Sequence, residues 1–135
     1  MSYAMAAALQ AAVWQRLVTD AGLAAIVGDA VHDAMPAGPV PETYVILGPE
    51  EVRDASDRDG AGAEHRFVVS VVSTAAGFRR AKQAAAAVSE RLEGAELVLA
   101  RGRLVGLWFH RAVARRLDNG AARRIDLTFR ARTEA

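Results

Sequence analysis

Apolar and polar residues alternate most regularly near the C-terminus, where the pattern predicts a long β-hairpin. Within residues 102–132, two apolar-patterned runs flank Asn119-Gly120, a dipeptide that favours a type I′ turn because both central residues need positive φ. Successive side chains of a strand point to opposite faces. The second arm therefore divides into an apolar face and a polar face: Ile125, Leu127, Phe129 and Ala131 against Arg124, Asp126, Thr128, Arg130 and Arg132.

A two-residue turn at Asn119-Gly120 also sets how the two arms pair. The predicted pairs on the apolar face are Ala114 with Ile125, Ala112 with Leu127, His110 with Phe129 and Trp108 with Ala131. We expect this face to join the core, which makes His110 a buried core histidine. The opposite face, for water or a partner, carries four arginines: Arg111, Arg115, Arg124 and Arg130. Arg115 opposite Arg124 is the weak point of this register, because like charges across a strand pair repel.

The remaining apolar patterns predict three helices, over about residues 3–19, 21–27 and 75–93. In the first, an apolar residue recurs every four positions and forms a stripe: Met5, Leu9, Val13 and Leu17. Short polar side chains can accept hydrogen bonds from the free N–H groups of a first helical turn. The expected N-caps are Ser2, Asp20 and either Ser73 or Thr74.

Shorter apolar runs predict strands over about residues 30–35, 43–48, 64–74 and 97–100. Gly48-Pro49 is expected to end the second of these, since proline has no N–H for a ladder hydrogen bond. The order of elements predicts an α+β fold: a mostly antiparallel sheet with two main helices packed on one face, and a long C-terminal β-hairpin. The 135 residues are expected to form a single domain, 1–135, large enough for a hydrophobic core.

Residues 50–63 are polar, contain two glycines and have almost no large apolar side chain, which predicts a mobile loop between two strands. Long structureless loops in compact domains are usually functional or disordered. Two interpretations stay open. The loop is either a tolerated surface excursion or an arm that becomes ordered on a partner.

Charged residues are unevenly distributed, although the net charge is only +1. Residues 50–64 hold six acidic residues against two arginines, whereas residues 101–135 hold nine arginines against three acidic residues. Unlike patches of this kind suit subunits that dock onto one another. The alternative is a set of solvated loops and strand faces whose asymmetry has no role.

No residue pattern points to catalysis, to a cofactor or to a bound metal. The chain has no cysteine, which excludes disulfides, thiolate catalysis and Cys-based zinc sites. Its three histidines lie in separate predicted strands, and neither a phosphate-binding glycine loop nor a GxSxG motif is present. The Ala-rich N-terminus has no basic region and is interrupted by polar residues, which favours neither a signal peptide nor a membrane span. We therefore expect no enzyme, no cofactor and no metal site.

Taken together, the order of these stretches resembles the tail completion, or tail terminator, proteins of long-tailed siphophages and of phage-derived gene transfer agents. The resemblance rests on the amphipathic N-terminal helix and on GLAAIVGDAVHDAMP, PETYVILG with its Asp-rich loop, FVVSVVSTAAGFRRAKQAAAAVSERLEGAEL, GRLVGLWF and RRLDNGAARRIDLTFRAR. It covers nearly the full length. It lies in the spacing of strands and helices and not in one diagnostic motif.

This resemblance implies a structural virion protein of the tail, located at the head-tail junction and assembled in the bacterial cytoplasm. Copies of such a protein close into a ring, expected to be a hexamer, on the head-proximal end of a finished tail tube. The ring ends tube polymerisation and presents the surface that joins the tail to the head. The implied partners are other copies of the chain, the tail tube protein and the connector or stopper protein. DNA would pass through the channel without specific binding, and no membrane is involved.

Two sets of residues are the candidate contacts in such an assembly. The first is expected to meet a partner ring: Arg53, Asp54, Asp57, Arg58 and Asp59. The second is expected to meet a ring neighbour or the tube: Arg111, Arg115, Arg124 and Arg130. The alternative functions are another head-tail joining protein such as a stopper, a minor tail protein, or a small nucleic-acid-binding or regulatory domain that uses the arginine face.

Overall fold

The computed structural model describes residues 3–35, 37–58 and 60–135, and its elements follow an α+β order. The helices are α1 (Ala6–Val18), α2 (Ala21–Val27) and α3 (Arg79–Leu92). The strands are β1 (Val31–His32), β2 (Thr43–Asp54), β3 (Gly62–Ser73), β4 (Arg103–Leu117) and β5 (Ala122–Glu134). They form one sheet in the order β1-β2-β3-β5-β4, in which only the β1–β2 pair is parallel. The predicted fold class is confirmed.

The hydrophobic core lies between the helices and one face of the sheet. The predicted apolar stripe of α1 is buried, with Leu9, Val13 and Leu17 in the core. On the sheet side, alternate residues of β5 and of residues 63–69 in β3 are buried, and residues 69–73 of β3 are all buried. The Phe67 and Phe129 rings stack with centroids 5.6 Å apart. Because only one sheet face is covered, the period-two pattern of β5 translates directly into alternating burial.

Helix starts agree with the prediction at α2 and differ at α3. The Asp20 carboxylate accepts a hydrogen bond from the Leu23 N–H at 2.8 Å, as expected of an N-cap. The Ser73 hydroxyl instead accepts from the Ala75 N–H at 3.1 Å, within a bend that delays the start of α3 to Arg79. The predicted cap Ser2 lies outside the described residues.

One strand prediction is too long and another is wrong. The strand predicted over residues 30–35 contains only Val31 and His32. Residues 97–100 form no strand, although Leu99 is buried in the core. A short apolar run indicates that a segment is buried, but it does not show that a strand lies beside it to pair with.

The predicted end of β2 at Gly48-Pro49 and the predicted mobile loop over residues 50–63 are also wrong. The register of β2 shifts between Leu47 and Glu50, and the strand then continues to Asp54, pairing with Phe67 to Ala63 of β3. The connection between the two strands shortens to residues 55–61. Cross-strand backbone bonds hold this polar segment as a strand, because they do not depend on apolar side chains.

The C-terminal hairpin has the predicted positive φ at both turn residues, 55° at Asn119 and 91° at Gly120, and the Ala121 N–H donates to the Asp118 carbonyl at 3.1 Å. Asp118 also has a positive φ of 53°, so the connection comprises residues 118–121 and not two residues. The register near the turn is as predicted, including Ala114 opposite Ile125.

Farther from the turn, the predicted pairing fails because β4 contains a bulge between Phe109 and Arg111. Phe109, not His110, lies opposite Phe129, and Leu107, not Trp108, lies opposite Ala131. The prediction of a buried His110 is therefore wrong, and this side chain is exposed. The bulge adds one residue to one strand only, which exchanges the faces of the residues beyond it.

Candidate assembly surface

The sheet face opposite the helices is uncovered in the described part of the chain, and it carries a band of charged side chains. The polar residues of β5 alternate along this face and are half-buried by their neighbours. All four arginines predicted for the second face of the hairpin lie here. Arg111 and Arg115 keep their predicted face because they lie between the bulge and the turn, opposite Thr128 and Arg124.

Asp126 lies at the centre of this band and balances two of the arginines. Its carboxylate is 2.8 Å from the Arg124 guanidinium and 3.5 Å from that of Arg115, and it accepts a hydrogen bond from the Ser70 hydroxyl at 2.6 Å. Burial, the largest influence, raises the pKa of Asp126, but the Ser70 hydroxyl and Arg124 together outweigh it and lower the pKa. The predicted repulsion between Arg115 and Arg124 is thus offset by one carboxylate placed between them.

Arg130 has a comparable partner, since its guanidinium is 3.5 Å from the Glu64 carboxylate. Arg66 lies 3.4 Å from the same carboxylate. Burial raises the pKa of Glu64, and the charge of Arg130 with the Arg66 hydrogen bond more than compensates, so that the pKa is lowered. Arg111 differs from the other three arginines, because no hydrogen bond or ion pair joins it to a described residue.

The predicted acidic contact residues lie at the far end of the β2–β3 hairpin. Arg53 and Asp54 belong to β2. Asp57 and Arg58 lie in the connection, where the Gly60 N–H donates to the Asp57 carboxylate at 3.0 Å. Asp59 is outside the described residues.

This hairpin end is attached to β5 of the same chain. Arg132 donates to the Ala55 carbonyl at 3.1 Å and lies 3.9 Å from the Asp57 carboxylate. The acidic and basic segments that are far apart in the sequence therefore meet within one chain, because β2 and β5 both flank β3. Part of the uneven charge distribution along the sequence is therefore neutralised by contacts within one subunit.

A second exposed surface, which the sequence patterns did not predict, follows β4 at the edge of the sheet. Every residue from Trp108 to Arg116 is exposed. The surface includes four large apolar side chains, each about 40 to 46% exposed: Val105, Trp108, Phe109 and Val113. The sequence could have indicated this surface, because β4 has two adjacent aromatic residues and apolar residues on both of its faces.

Part of this edge is closed by the segment that follows α3. The Gly94 N–H donates to the Leu107 carbonyl at 2.9 Å, and the Glu93 carboxylate accepts from the Phe109 N–H. From Arg111 to the turn, no described residue bonds to the outer edge of β4. An unpaired strand edge is a template for pairing with another chain.

Other kinds of site have no support among the described residues. No group of three or more His, Asp or Glu side chains is placed to hold a metal ion in residues 3–35, 37–58 and 60–135. Within those residues, none of the helices has the length and apolar character needed to cross a membrane.

Comparison with known proteins identifies relatives of the whole chain. Residues 11–134 match the model of the family described as tail completion protein gp17. Among solved structures, a chain in the virion of a native gene transfer agent particle is 66% identical, with a TM-score of 0.95 over 99% of this chain and 100% of that chain. Among proteins of curated function, none matches.

Proposed function

Because the chain belongs to the tail completion protein gp17 family, whose members are structural tail proteins of virions, we propose that it forms a ring at the head-proximal end of a phage-like tail tube. The ring ends polymerisation of the tube and joins the tail to the head connector. The observation that carries this proposal is the 66% identity, over nearly the full length, to a chain of a gene transfer agent virion.

The shape of the isolated chain supports assembly. In the described part of the chain no layer covers the sheet face opposite the helices, and the edge strand β4 exposes apolar side chains. A neighbouring subunit can cover both surfaces. Subunits of a cyclic ring meet head to tail, with one patch on each subunit contacting a different patch on the next. The proposed partners are other copies of the chain in a hexameric ring, the tail tube protein, and the connector or stopper protein. DNA passes through the channel without specific binding.

Each of the two predicted contact sets has a proposed partner. In this proposal the hairpin end with Asp57 and Arg58 meets a partner ring, whereas Arg53 and Asp54, which belong to β2, lie beside a ring neighbour. Asp59 of the predicted set lies outside the described residues. The basic set meets a ring neighbour or the tube, with Arg111 as its most available cation. The internal ion pairs of Arg115, Arg124 and Arg130 favour a protein contact over a phosphate-binding surface, because their charge is already partly neutralised.

Deletion of the gene from a producer strain tests the proposal directly. We expect electron micrographs to show overlong or uneven tubes beside full heads, because nothing would end tube growth. Tubes of normal length that fail to attach would assign the protein to the head side of the junction, as a stopper. Intact particles of normal appearance would contradict the proposal.

Charge reversal on the bare face tests the basic set. The double variant Arg124→Glu and Arg130→Glu is expected to be lost from purified particles, because it replaces two positive charges proposed to meet a ring neighbour or the tube with negative ones. Thermal denaturation of the purified variant distinguishes lost contact from lost folding. Normal incorporation into particles would remove these arginines from the interface.

A further inference from the structure

Two strand edges at opposite ends of the sheet have no backbone partner in the described residues. On β4 the open edge runs from Arg111 to Leu117, beyond the part closed by Glu93 and Gly94. On β2 the open edge includes Glu50 to Arg53, because β1 pairs only with Val45 and Ile46. An open, regular strand edge exposes backbone N–H and C=O groups that can pair with a strand of another chain.

We propose that these two edges pair with each other between neighbouring copies, so that the sheet continues from one subunit into the next. This inference rests on the proposed ring and specifies the contact that closes it. β4 of one copy would pair with β2 of the next. Each subunit thus uses one edge toward one neighbour and the other edge toward the other neighbour, as a head-to-tail ring requires.

Strand direction permits this pairing. β2 is antiparallel to β3, β3 to β5, and β5 to β4, so β4 runs antiparallel to β2 within one subunit. Placing β4 of one copy beside β2 of the next therefore continues the alternation of direction without inverting either subunit. Antiparallel addition at an open edge is a common mode of recognition between chains.

The hydrogen-bonding groups of the two edges also match. In β2, the Ala55 N–H donates to Gly62 across the hairpin at 2.9 Å, so the alternation of an antiparallel ladder turns Val52 and Glu50 outward. In β4, Leu107 and Phe109 bond outward to Gly94 and Glu93, and beyond the one-residue bulge the same alternation turns Ala112, Ala114 and Arg116 outward.

These outward residues carry their side chains on the helix side of the sheet in both strands. Ala114 lies opposite the buried Ile125 of β5, and Val52 lies opposite the buried His65 of β3. Opposed residues of paired strands have side chains on the same face. The pairing thus places the helix layers of all copies on one side of the continuous sheet, which a closed ring needs.

Charge selects the register. With Ala114 opposite Val52, Arg115 faces Glu51, whose carboxylate lies 2.6 Å from Arg53 in its own subunit. Arg116 faces Glu50, which accepts a hydrogen bond from the Tyr3 hydroxyl. A shift by two residues in either direction would place Arg53 opposite Arg111 or opposite Arg115, and like charges in direct opposition are destabilising. One register therefore combines two opposite-charge pairs with outward backbone groups on both strands.

The geometry of a ring accommodates the stagger that this register demands. Ala114 lies in the row of Val71 across the sheet, whereas Val52 lies in the row of His65, six residues away along β3. At about 3.3 Å per residue, neighbouring copies shift by roughly 20 Å along the strands, over a width of about 19 Å for four strands. The resulting strand tilt is about 45°, close to the 35–45° of closed barrels.

A disulfide ladder in assembled particles tests the pairing. In the proposed register Val113 and Arg53 form a non-hydrogen-bonded pair, the closer of the two pair types, at a Cα separation that a disulfide can span. The chain has no cysteine, so Val113→Cys with Arg53→Cys introduces a defined pair. Mild oxidation of particles from a strain carrying both changes is expected to give covalent multimers on non-reducing gels, up to the ring size.

The matched control combines Arg53→Cys with Val105→Cys, an exposed position of the same strand that the register places away from Arg53. It is expected to give no ladder. Capped tails of normal length without a ladder from the Val113 pair would overturn this interface and leave the proposed function intact. Normal particles after gene deletion would instead overturn the proposed function.

A charge exchange provides a second measurement if the cysteine variant does not assemble. Glu51→Arg and Arg115→Glu are each expected to lower incorporation into particles about tenfold, and the double variant to restore it. If Arg115→Glu acted only within its own subunit, the double variant would not assemble, because the carboxylate at position 115 still lies beside Asp126. Restored incorporation would therefore report a contact between subunits. Failure to restore would overturn the register, and the control reversals Glu42→Arg and Arg79→Glu are expected to assemble normally.

Discussion

The two arms of the C-terminal hairpin have similar apolar patterns but opposite environments. In β5, Ile125, Leu127 and Phe129 are buried. In β4, the residues opposite the first two, Ala112 and Ala114, are exposed although they lie on the same face. The difference arises from position in the sheet, since β5 has a strand on each side and α3 above it, whereas β4 has one neighbouring strand.

This comparison separates stability from assembly. β5 joins the core, and its polar face is balanced by Asp126 and Glu64. β4 contributes little beyond Leu107 to the core and presents an open edge with exposed aromatic side chains. Substitutions of the buried residues of β5 should therefore affect folding first, and substitutions in β4 should affect association first.

The largest contrast is expected between the two phenylalanines that face each other across the hairpin. Phe129→Ala should lower the free energy of unfolding by about 3–5 kcal/mol, because it leaves a cavity beside Phe67. Phe109→Ala should cost about 1–2 kcal/mol, since this ring is 40% exposed and packs edge-on against Phe129. Equilibrium urea unfolding of both variants measures the difference, and equal losses would contradict the comparison.

Proline substitutions probe the backbone of the two arms. Thr128→Pro removes a ladder bond to β4 and should cost about 3 kcal/mol or more. Ala114→Pro should cost about 1 kcal/mol or less, because its N–H points away from β5 and edge strands tolerate proline. The second variant should nevertheless be absent from purified particles. Thermal denaturation together with a particle immunoblot tests both statements, and a severe loss of stability in Ala114→Pro would show that this edge is not open.

The buried histidine of β3, His65, should make stability depend on pH. His65 is fully buried and its ring contacts the Thr133 hydroxyl at 2.9 Å. Burial lowers its pKa, more than the Glu50 charge raises it. The unfolded chain, with an ordinary pKa of about 6.5, therefore takes up the proton first, and stability is lost as pH falls through that value. His65→Gln should reduce this loss between pH 7 and pH 5 in urea titrations, whereas His110→Gln serves as the exposed control. An unchanged slope in His65→Gln would contradict the argument.

The smallest effect is expected at Gly106 of β4, where the Trp108 ring lies against the backbone. A Cβ atom at Gly106 would be 2.3 Å from this ring. Because Trp108 is 46% exposed, the ring can move into solvent, and Gly106→Ala should cost about 1 kcal/mol or less. Tryptophan fluorescence in a Trp14→Phe background should shift to longer wavelength. No shift would mean that the indole keeps its place on the edge.

The sequence alone predicted the elements in which local periodicity and capping agree. The stripe of α1, the Asp20 cap, the alternation of β5 and the positive φ at Asn119-Gly120 are all local features, and the structure confirms them. The resemblance in the order of elements predicted the family correctly. Such features are encoded within a few residues, so no distant contact is needed to read them.

Tertiary structure decided what depends on neighbouring segments. Pairing with β3 makes a strand of the polar residues 50–54, and a one-residue bulge moves His110 out of the core. The balance of Arg130 by Glu64, and of Arg115 by Asp126, joins residues on different strands. Periodicity along a chain determines which side chains share a face, but burial and charge balance depend on what packs against that face, and only the assembled sheet supplies that partner.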